Sequence, residues 1–190
     1  MSAVKFKRVV TGHDPQGRAI LAMNGAPPSV FPLKAVPGTV FYEIWNTCGA
    51  PARVDNGPDP TLRSLVLGPP SLGSLIRVVD IPPDSVQNAV SAEDAAAAFE
   101  EIGAGHAGTG RSDSPHRLMH RTETVDYGIV LEGRVWLVLD ADEIELNPGD
   151  VVVQRGTNHA WSNRTEKTAR MVFILLDGKF DAGIASVAQP

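Results

Sequence analysis

The stretch from His120 to Asn163 reads HRTETVDYGIVLEGRVWLVLDADEIELNPGDVVVQRGTNHAWSN and decides the fold. Short apolar runs in it alternate with turns that carry glycine, proline or asparagine, which is typical of a β-sandwich or β-barrel. Two histidines, His120 and His159, and the carboxylate of Asp126 lie within these strand patterns. Such groups on neighbouring strands can bind one face of a divalent metal and leave its other coordination positions open.

The pattern along the rest of the chain predicts an all-β protein with one short helix. The helix is predicted over residues 91–102, because Ser91 can act as its N-cap, an alanine run follows, and Gly103 ends it. Strands are predicted at residues 8–11, 18–23, 39–46, 74–81, 126–131, 134–139, 143–146, 150–154, 159–163 and 169–176.

The chain shows no internal repeat and no convincing linker, so we interpret residues 1–190 as a single domain. Residues 1–70 are predicted to form an N-terminal β-rich arm. Residues 71–180 are predicted to form the barrel that contains both histidine-bearing segments. A chain of 190 residues with 43% hydrophobic residues is long enough to bury one sizeable core.

Composition and charge restrict the classes of function. The formal net charge is −5 and the longest basic run is Lys5–Arg8, so nucleic-acid binding is not expected. No apolar run approaches the roughly 18 residues of a membrane span, and the N-terminus lacks a secretory pattern. A single cysteine, Cys48, excludes an internal disulfide bond and suits a reducing compartment. We therefore expect a cytoplasmic protein that has a small molecule, and neither nucleic acid nor a membrane, as its partner.

Strand periodicity tests independently whether the candidate ligands share a face. Because side chains at i and i+2 point the same way, His120 lies with Thr122, and His159 with Trp161. If Asp126 faces the interior, Gly128 and Val130 do so too, while Tyr127 faces outward. A glycine beside a ligand is expected to leave empty volume for a substrate.

The first segment resembles the first signature motif of the cupin superfamily. His120 matches the first histidine of that motif, Asp126 matches its acid and Gly133 its glycine. Thr122 stands where the second histidine of the motif is usual. The amino-acid sequence of the segment resembles that of small single-domain bacterial and fungal cupins of the cupin 2 conserved-barrel type.

The second segment resembles the second cupin motif. Residues 148–150 match its opening, His159 its histidine and Asn163 its closing asparagine, whereas Arg155 replaces the usual proline. The resemblance implies a jelly-roll β-barrel.

The resemblance also implies a divalent-metal site formed by His120, Asp126 and His159. Two histidines and one carboxylate suit Fe(II), and also Zn, Mn or Ni. The missing second histidine leaves a second interpretation open, in which the barrel is degenerate and binds no metal.

Further candidates surround the predicted metal site. Glu123 and His116 are candidate general bases, and the candidate substrate-binding residues are Arg77, Gln154, Arg155 and Trp161. Arg77 lies in the middle of an apolar strand, where an unpaired charge is costly. It is expected either to bind a substrate carboxylate or to pair with Asp80 or Glu43.

These observations predict a divalent-metal-dependent enzyme for a small organic or aromatic acid, of the decarboxylase, lyase, isomerase or dioxygenase type. The alternative is a non-catalytic barrel that binds a small molecule, since a fold does not determine function. A homodimer is also expected. The strands at residues 8–11 and 18–23 need pairing partners, and cupins commonly exchange N-terminal strands across a two-fold axis.

Overall fold

A computed structural model describes residues 6–186, which form eleven strands and three helices. The strands are β1 (Arg8–His13), β2 (Ala19–Gly25), β3 (Ser29–Pro32), β4 (Val40–Thr47), β5 (Ser74–Ile81), β6 (Thr124–Glu132), β7 (Val135–Leu139), β8 (Glu143–Leu146), β9 (Val151–Arg155), β10 (His159–Ser162) and β11 (Ala169–Asp177). The helices are α1 (Asp84–Gln87), α2 (Ala92–Glu101) and α3 (Ala182–Ala185). The predicted all-β fold with a short helix near residues 91–102 is confirmed.

The strands form antiparallel sheets that face each other as in a jelly roll. The large sheet has the order β3-β4-β5-β11-β6-β9, and the small sheet has the order β10-β7-β8. Val79 and Val130 of the large sheet share one apolar core with Val135 and Leu137 of the small sheet. Burial of these faces removes apolar surface from water and holds the two sheets together.

Strand β6 shows the alternation that its sequence predicts. Asp126, Gly128 and Val130 are buried, whereas Tyr127 and Leu131 are exposed. The register of the strand is therefore set by its apolar and small residues, since a shift by one residue would turn Asp126 to the outside.

Helix α2 begins as its sequence predicts and covers one opening of the barrel. The Ser91 Oγ accepts a hydrogen bond from the Asp94 N–H at 3.0 Å. Ala95, Ala98 and Phe99 are buried in the same core as the sheets. The N-cap satisfies one of the free N–H groups of the first turn, and the apolar face holds the helix on the barrel.

The arm predicted at residues 1–70 consists of two parts. Strand β1 pairs with β2 in a separate ribbon, so these strands find pairing partners within the same chain. Strands β3 and β4 instead belong to the large sheet. Sequence reasoning missed β3, a four-residue edge strand that ends at Pro32, where a missing N–H is tolerated.

Two short helices were also missed, α1 and α3. Across residues 6–186, no helix has the length and hydropathy that a membrane crossing requires.

Candidate functional site

An apolar cavity lies between the two sheets under helix α2. Its volume is about 140 Å³, close to the roughly 150 Å³ of an engineered apolar protein cavity that binds benzene. Apolar side chains such as Val79, Phe99 and Phe173 form most of its wall. Its polar lining includes His120, His159, Asp126, Thr122, Arg77 and Gln87. The cavity therefore suits one small ring with few polar groups.

His120 and His159 meet at one end of this cavity. The His120 N–H donates to the His159 carbonyl at 2.8 Å, and the His159 N–H donates to the His120 carbonyl at 2.9 Å. This antiparallel bridge places the two side chains on one face, and their ring centroids are 4.2 Å apart. The backbone thus brings together two imidazoles that are 39 positions apart in sequence.

Each imidazole is oriented by a backbone carbonyl two residues earlier. The Nδ1 of His120 lies 2.9 Å from the Leu118 carbonyl, and the Nδ1 of His159 lies 2.9 Å from the Thr157 carbonyl. A carbonyl oxygen only accepts hydrogen bonds, so both Nδ1 atoms carry the proton. The Nε2 atom of each neutral ring then keeps its lone pair, as in metal-ligating histidines whose other nitrogen donates to a carbonyl.

Burial favours the neutral form of both rings. It lowers the pKa of His120 below the usual value. The pKa of His159 is lowered well below the usual range, first by burial and then by the neighbouring His120. Because a charged imidazole cannot bind a metal, this environment keeps both Nε2 atoms available at neutral pH.

Asp126 lies in the same cavity as a poorly solvated carboxyl group. Its Oδ1 is buried and has no hydrogen-bond partner among the described residues. Burial raises the pKa of Asp126 to about 6, against the smaller lowering effects of Thr124 and Arg77. A buried acceptor without a donor is costly, so this oxygen is suited to a cation or a donor group that enters the cavity.

The donor atoms of this site are of the types that bind a divalent metal. Two Nε2 lone pairs and one unpartnered carboxylate oxygen are the nitrogen and oxygen donors that Fe, Zn, Mn and Ni accept. Within residues 6–186, however, no three His, Cys, Asp or Glu side chains are close enough together to hold an ion. The structure therefore brings His120 and His159 together as a pair, and Asp126 shares their cavity without completing the set.

Thr122 and Gly128 occupy the faces that strand periodicity predicts. Thr122 lines the cavity, and its Oγ1 lies 2.7 Å from the Thr124 Oγ1. Gly128 is buried, but it does not leave the empty volume that its sequence position suggested. A Cβ there would lie 3.3 Å from side-chain atoms of both Trp161 and Phe173, so their rings fill the space beside it.

Arg77 is paired with an acidic side chain, which is one of the two roles expected for it. Its Nε lies 2.9 Å from the Glu43 Oε1. Its terminal nitrogens donate to the carbonyls of Val66 at 2.7 Å and Leu67 at 3.1 Å. Of the two pairings predicted, the structure has the one with Glu43, while Asp80 pairs with Arg170. The guanidinium is thus neutralised before any ligand arrives.

Gln154, Arg155 and Trp161 have three different environments. Gln154 is buried, and its Nε2 donates to the Thr157 Oγ1 at 2.9 Å, so it supports the loop whose carbonyl orients His159. Arg155 is exposed and lies outside the cavity lining, because adjacent strand residues face opposite sides of the sheet. Trp161 lines the cavity, with its ring centroid 5.6 Å from that of His159.

Glu123 and His116, the candidate general bases, lie outside the cavity lining. Glu123 is exposed, and its carboxylate accepts the Phe180 N–H at 2.6 Å. His116 is buried with its Nε2 3.7 Å from the Asp84 Oδ1, and its Nδ1 accepts the Leu118 N–H at 3.1 Å. Both side chains hold loops in place, and neither reaches the pair of histidines.

Sequence reasoning missed Phe99 and Gln87 as cavity residues. Phe99 belongs to helix α2, for which the sequence suggested no role in the site, and its ring centroid lies 5.5 Å from that of His120. Gln87 is buried on the short helix α1, where its Nε2 donates to the Pro82 carbonyl at 3.0 Å. Helical periodicity marks Phe99 as buried, but no local signal shows which space a buried residue lines.

Comparisons with known proteins agree with this architecture. The Cupin_2 family model, described as a cupin domain, matches residues 105–175. Phomopsin biosynthesis cluster protein C' of Diaporthe leptostromiformis is 35% identical over 180 residues, which are 90% of this chain and 78% of that protein. A cupin-domain-containing oxidoreductase, srdB of Neurospora crassa, is 29% identical over 180 residues, 90% of this chain and 74% of that protein.

Among solved structures, a Cupin 2 conserved barrel domain protein from Salinispora arenicola is similar. It is 17% identical, and the match covers 70% of this chain and 76% of that chain with a TM-score of 0.33.

Proposed function

Because this chain belongs to the cupin family, we propose that it is a divalent-metal-dependent enzyme that acts on a small, ring-sized and largely apolar compound. His120, His159 and Asp126 would hold the metal. The observation that carries this proposal is the pair of histidines, whose rings lie 4.2 Å apart with both Nδ1 atoms bound to carbonyls. Such an arrangement leaves two Nε2 lone pairs directed away from the backbone.

The chain's own residues supply a mostly apolar binding space with no available cationic side chain. Arg77 is the one Lys or Arg among the described lining residues, and Glu43 neutralises it. A substrate carboxylate therefore finds no free cationic side chain in the cavity. Among the small organic and aromatic acids expected from the sequence, this favours compounds that are recognised mainly by an apolar ring. Trp161 and Phe173, with ring centroids 5.2 Å apart, provide aromatic surface for that ring.

Asp126 is the acidic side chain of the cavity, so a polar group of the substrate would lie near it. Burial raises its pKa to about 6 in the metal-free protein, and binding of a metal would displace that proton. A bound divalent metal would supply Lewis-acid chemistry, or redox chemistry in the case of iron. The relative srdB is named an oxidoreductase, and that name supports a redox reaction over decarboxylation or isomerisation.

A second candidate function is a metal-free barrel that binds a small molecule without turnover. The observation that favours it is the lack, within the described residues, of any three potential ligands close enough to hold an ion. The sequence agrees with this alternative at Thr122, which replaces a usual ligand.

The test begins with elemental analysis of protein purified without added metal. The metal-loaded protein is then incubated with neutral and acidic single-ring aromatic compounds, with and without oxygen, and products are identified by mass spectrometry. We expect product from at least one neutral compound, dependent on metal. We expect none from His120→Ala, and unchanged product from His13→Ala, an exposed residue of strand β1.

The result would support the metal-free binding barrel if compounds bind and raise the melting temperature of the protein but are never converted. Product formation that persists in His120→Ala would contradict the assignment of the site.

A further inference from the structure

Phe99 lies between two separate spaces of the molecule. On one side is the cavity that contains His120 and His159. On the other side is a groove of about 550 Å³ between helix α2 and residues 105–117, which we call the outer groove. Phe99 is the one described residue that lines both, and its side chain is 8% exposed.

Close contacts hold the Phe99 ring in this position. Its centroid lies 5.5 Å from that of His120, at an interplanar angle of 44°. The ring also lies against Gly108, where an added Cβ would lie 2.8 Å from the Phe99 Cδ2. Gly108 also forms a backbone bridge with His120. The ring thus contacts one histidine of the pair and the backbone position bridged to that histidine, which has no room for a side chain.

The two spaces separated by this ring differ in chemistry. The cavity is mostly apolar, and Glu43 neutralises its arginine. The outer groove is lined by Arg111, Arg117 and two serines, and no acidic residue is among its described lining residues. A compound that extended past Phe99 would therefore pass from a mostly apolar space into one whose wall combines alanine side chains with two arginines.

We propose that Phe99 is a specificity-determining residue that closes the cavity towards the outer groove and restricts the substrate to a single ring with a very short side chain. The size of the cavity agrees with this limit, since about 140 Å³ is filled by one ring. The inference rests on the proposed function only in taking this cavity as the substrate site. It makes no use of the metal.

The limit can be measured as a cut-off in ligand length. Phenol and 4-alkylphenols with ethyl, butyl and hexyl chains are titrated by isothermal calorimetry into the protein as purified, and its metal content is measured in parallel. In the native protein, affinity should rise up to the ethyl compound and then stay level or fall. In Phe99→Ala it should continue to rise, by up to about fourfold for each further methylene that is buried against the alanine side chains of the outer groove.

Three variants make this result specific. Phe173→Ala also removes a phenyl ring, but from a part of the cavity wall that does not adjoin the outer groove. The chain length at which affinity stops rising should therefore change by at most one carbon in this variant. Phe99→Leu keeps apolar packing in case Phe99→Ala does not fold, and its cut-off should be intermediate. Gly108→Ala should displace the Phe99 ring, because the added Cβ would clash with it, and should weaken phenol binding at least threefold.

The proposal is overturned if folded Phe99→Ala and Phe99→Leu keep the native cut-off. It is also overturned if the native protein binds hexylphenol more tightly than ethylphenol, or binds no member of the series. A cut-off that moves in protein without any bound metal would support the role of Phe99 and count against the metal-dependent function. The two proposals can therefore fail separately.

Discussion

His120 and His159 hold each other in place through their backbones rather than through their rings. Each N–H donates to the carbonyl of the other residue, at 2.8 and 2.9 Å. The two rings are then oriented independently, by the carbonyls of Leu118 and Thr157. Either imidazole can therefore be removed without breaking the bridge, so each can be tested as a metal ligand with the fold kept.

The first prediction concerns that test. His159→Ala should reduce the metal content to less than about one-tenth of that of the native protein, because a single remaining imidazole binds a divalent metal weakly. Metal is measured by inductively coupled plasma mass spectrometry, and circular dichroism checks the fold. His13→Ala, at an exposed position, is the matched control. Full metal content in folded His159→Ala would show that this histidine is not a ligand.

The second prediction is that Asp126 destabilises the metal-free protein at neutral pH. Its pKa is raised from 3.8 to about 6 by burial, so the folded state binds the proton more tightly than the unfolded state. The stability contribution of Asp126 is therefore fully present below about pH 4, is lost as the pH rises to about 6, and stays constant above it.

Asp126→Asn removes this ionisation and should stabilise the metal-free protein by about 3 kcal/mol at pH 7.5, with a smaller gain at pH 5. Urea unfolding of protein treated with a chelator measures both values. The same variant should bind metal less tightly if Asp126 is a ligand. A variant that is less stable than the native protein at pH 7.5 would mean that a partner compensates the buried charge.

The third prediction concerns Thr122, which stands at the place of a usual ligand. Since Thr122 lines the cavity beside the pair of histidines, Thr122→His should raise metal affinity at least tenfold in competition with a chelator. Turnover should fall because the new imidazole occupies a position otherwise open to the substrate. The control is Thr168→His at an exposed position, which should change neither quantity. Unchanged affinity in Thr122→His would show that this side chain does not reach the metal.

The fourth prediction is that the protein forms a homodimer through the outer face of β6 and β9. Val151 and Val153 are 60% and 58% exposed, and Tyr127, directly opposite Val153, is 38% exposed. Strand β9 also lies at the edge of the large sheet. Exposed apolar surface on an edge strand is prone to association with another chain.

Val153→Asp should convert the dimer into a monomer of about half the mass, as measured by light scattering at micromolar concentration. Val54→Asp is the control, since Val54 is exposed in a loop away from these strands. A native protein that is already monomeric at 20 kDa would contradict this prediction.

Much of the secondary structure was predictable because its signals are local. The limits predicted for β5 and β8 are those of the structure, and Ser91 caps α2 as expected. Strand β3 was missed because its four residues are too few to show alternation, and its stability comes from pairing with β4. A local pattern identifies a strand that is long enough to show alternating buried and exposed residues. It does not identify a short strand that is stabilised only by pairing with its neighbour.

By itself, the sequence determined which residues of a strand share a face, and so grouped Asp126 with Gly128, His120 with Thr122, and His159 with Trp161. That inference succeeds because side chains alternate along every strand regardless of what lies opposite. Only the tertiary structure decided which side chains surround each interior residue. Arg77 is neutralised by Glu43 from a neighbouring strand, the space beside Gly128 is filled by aromatic rings, and a helical residue, Phe99, closes the cavity. Charge pairing and the filling of volume depend on residues distant in the chain, which meet only when the sheets and the helix pack together.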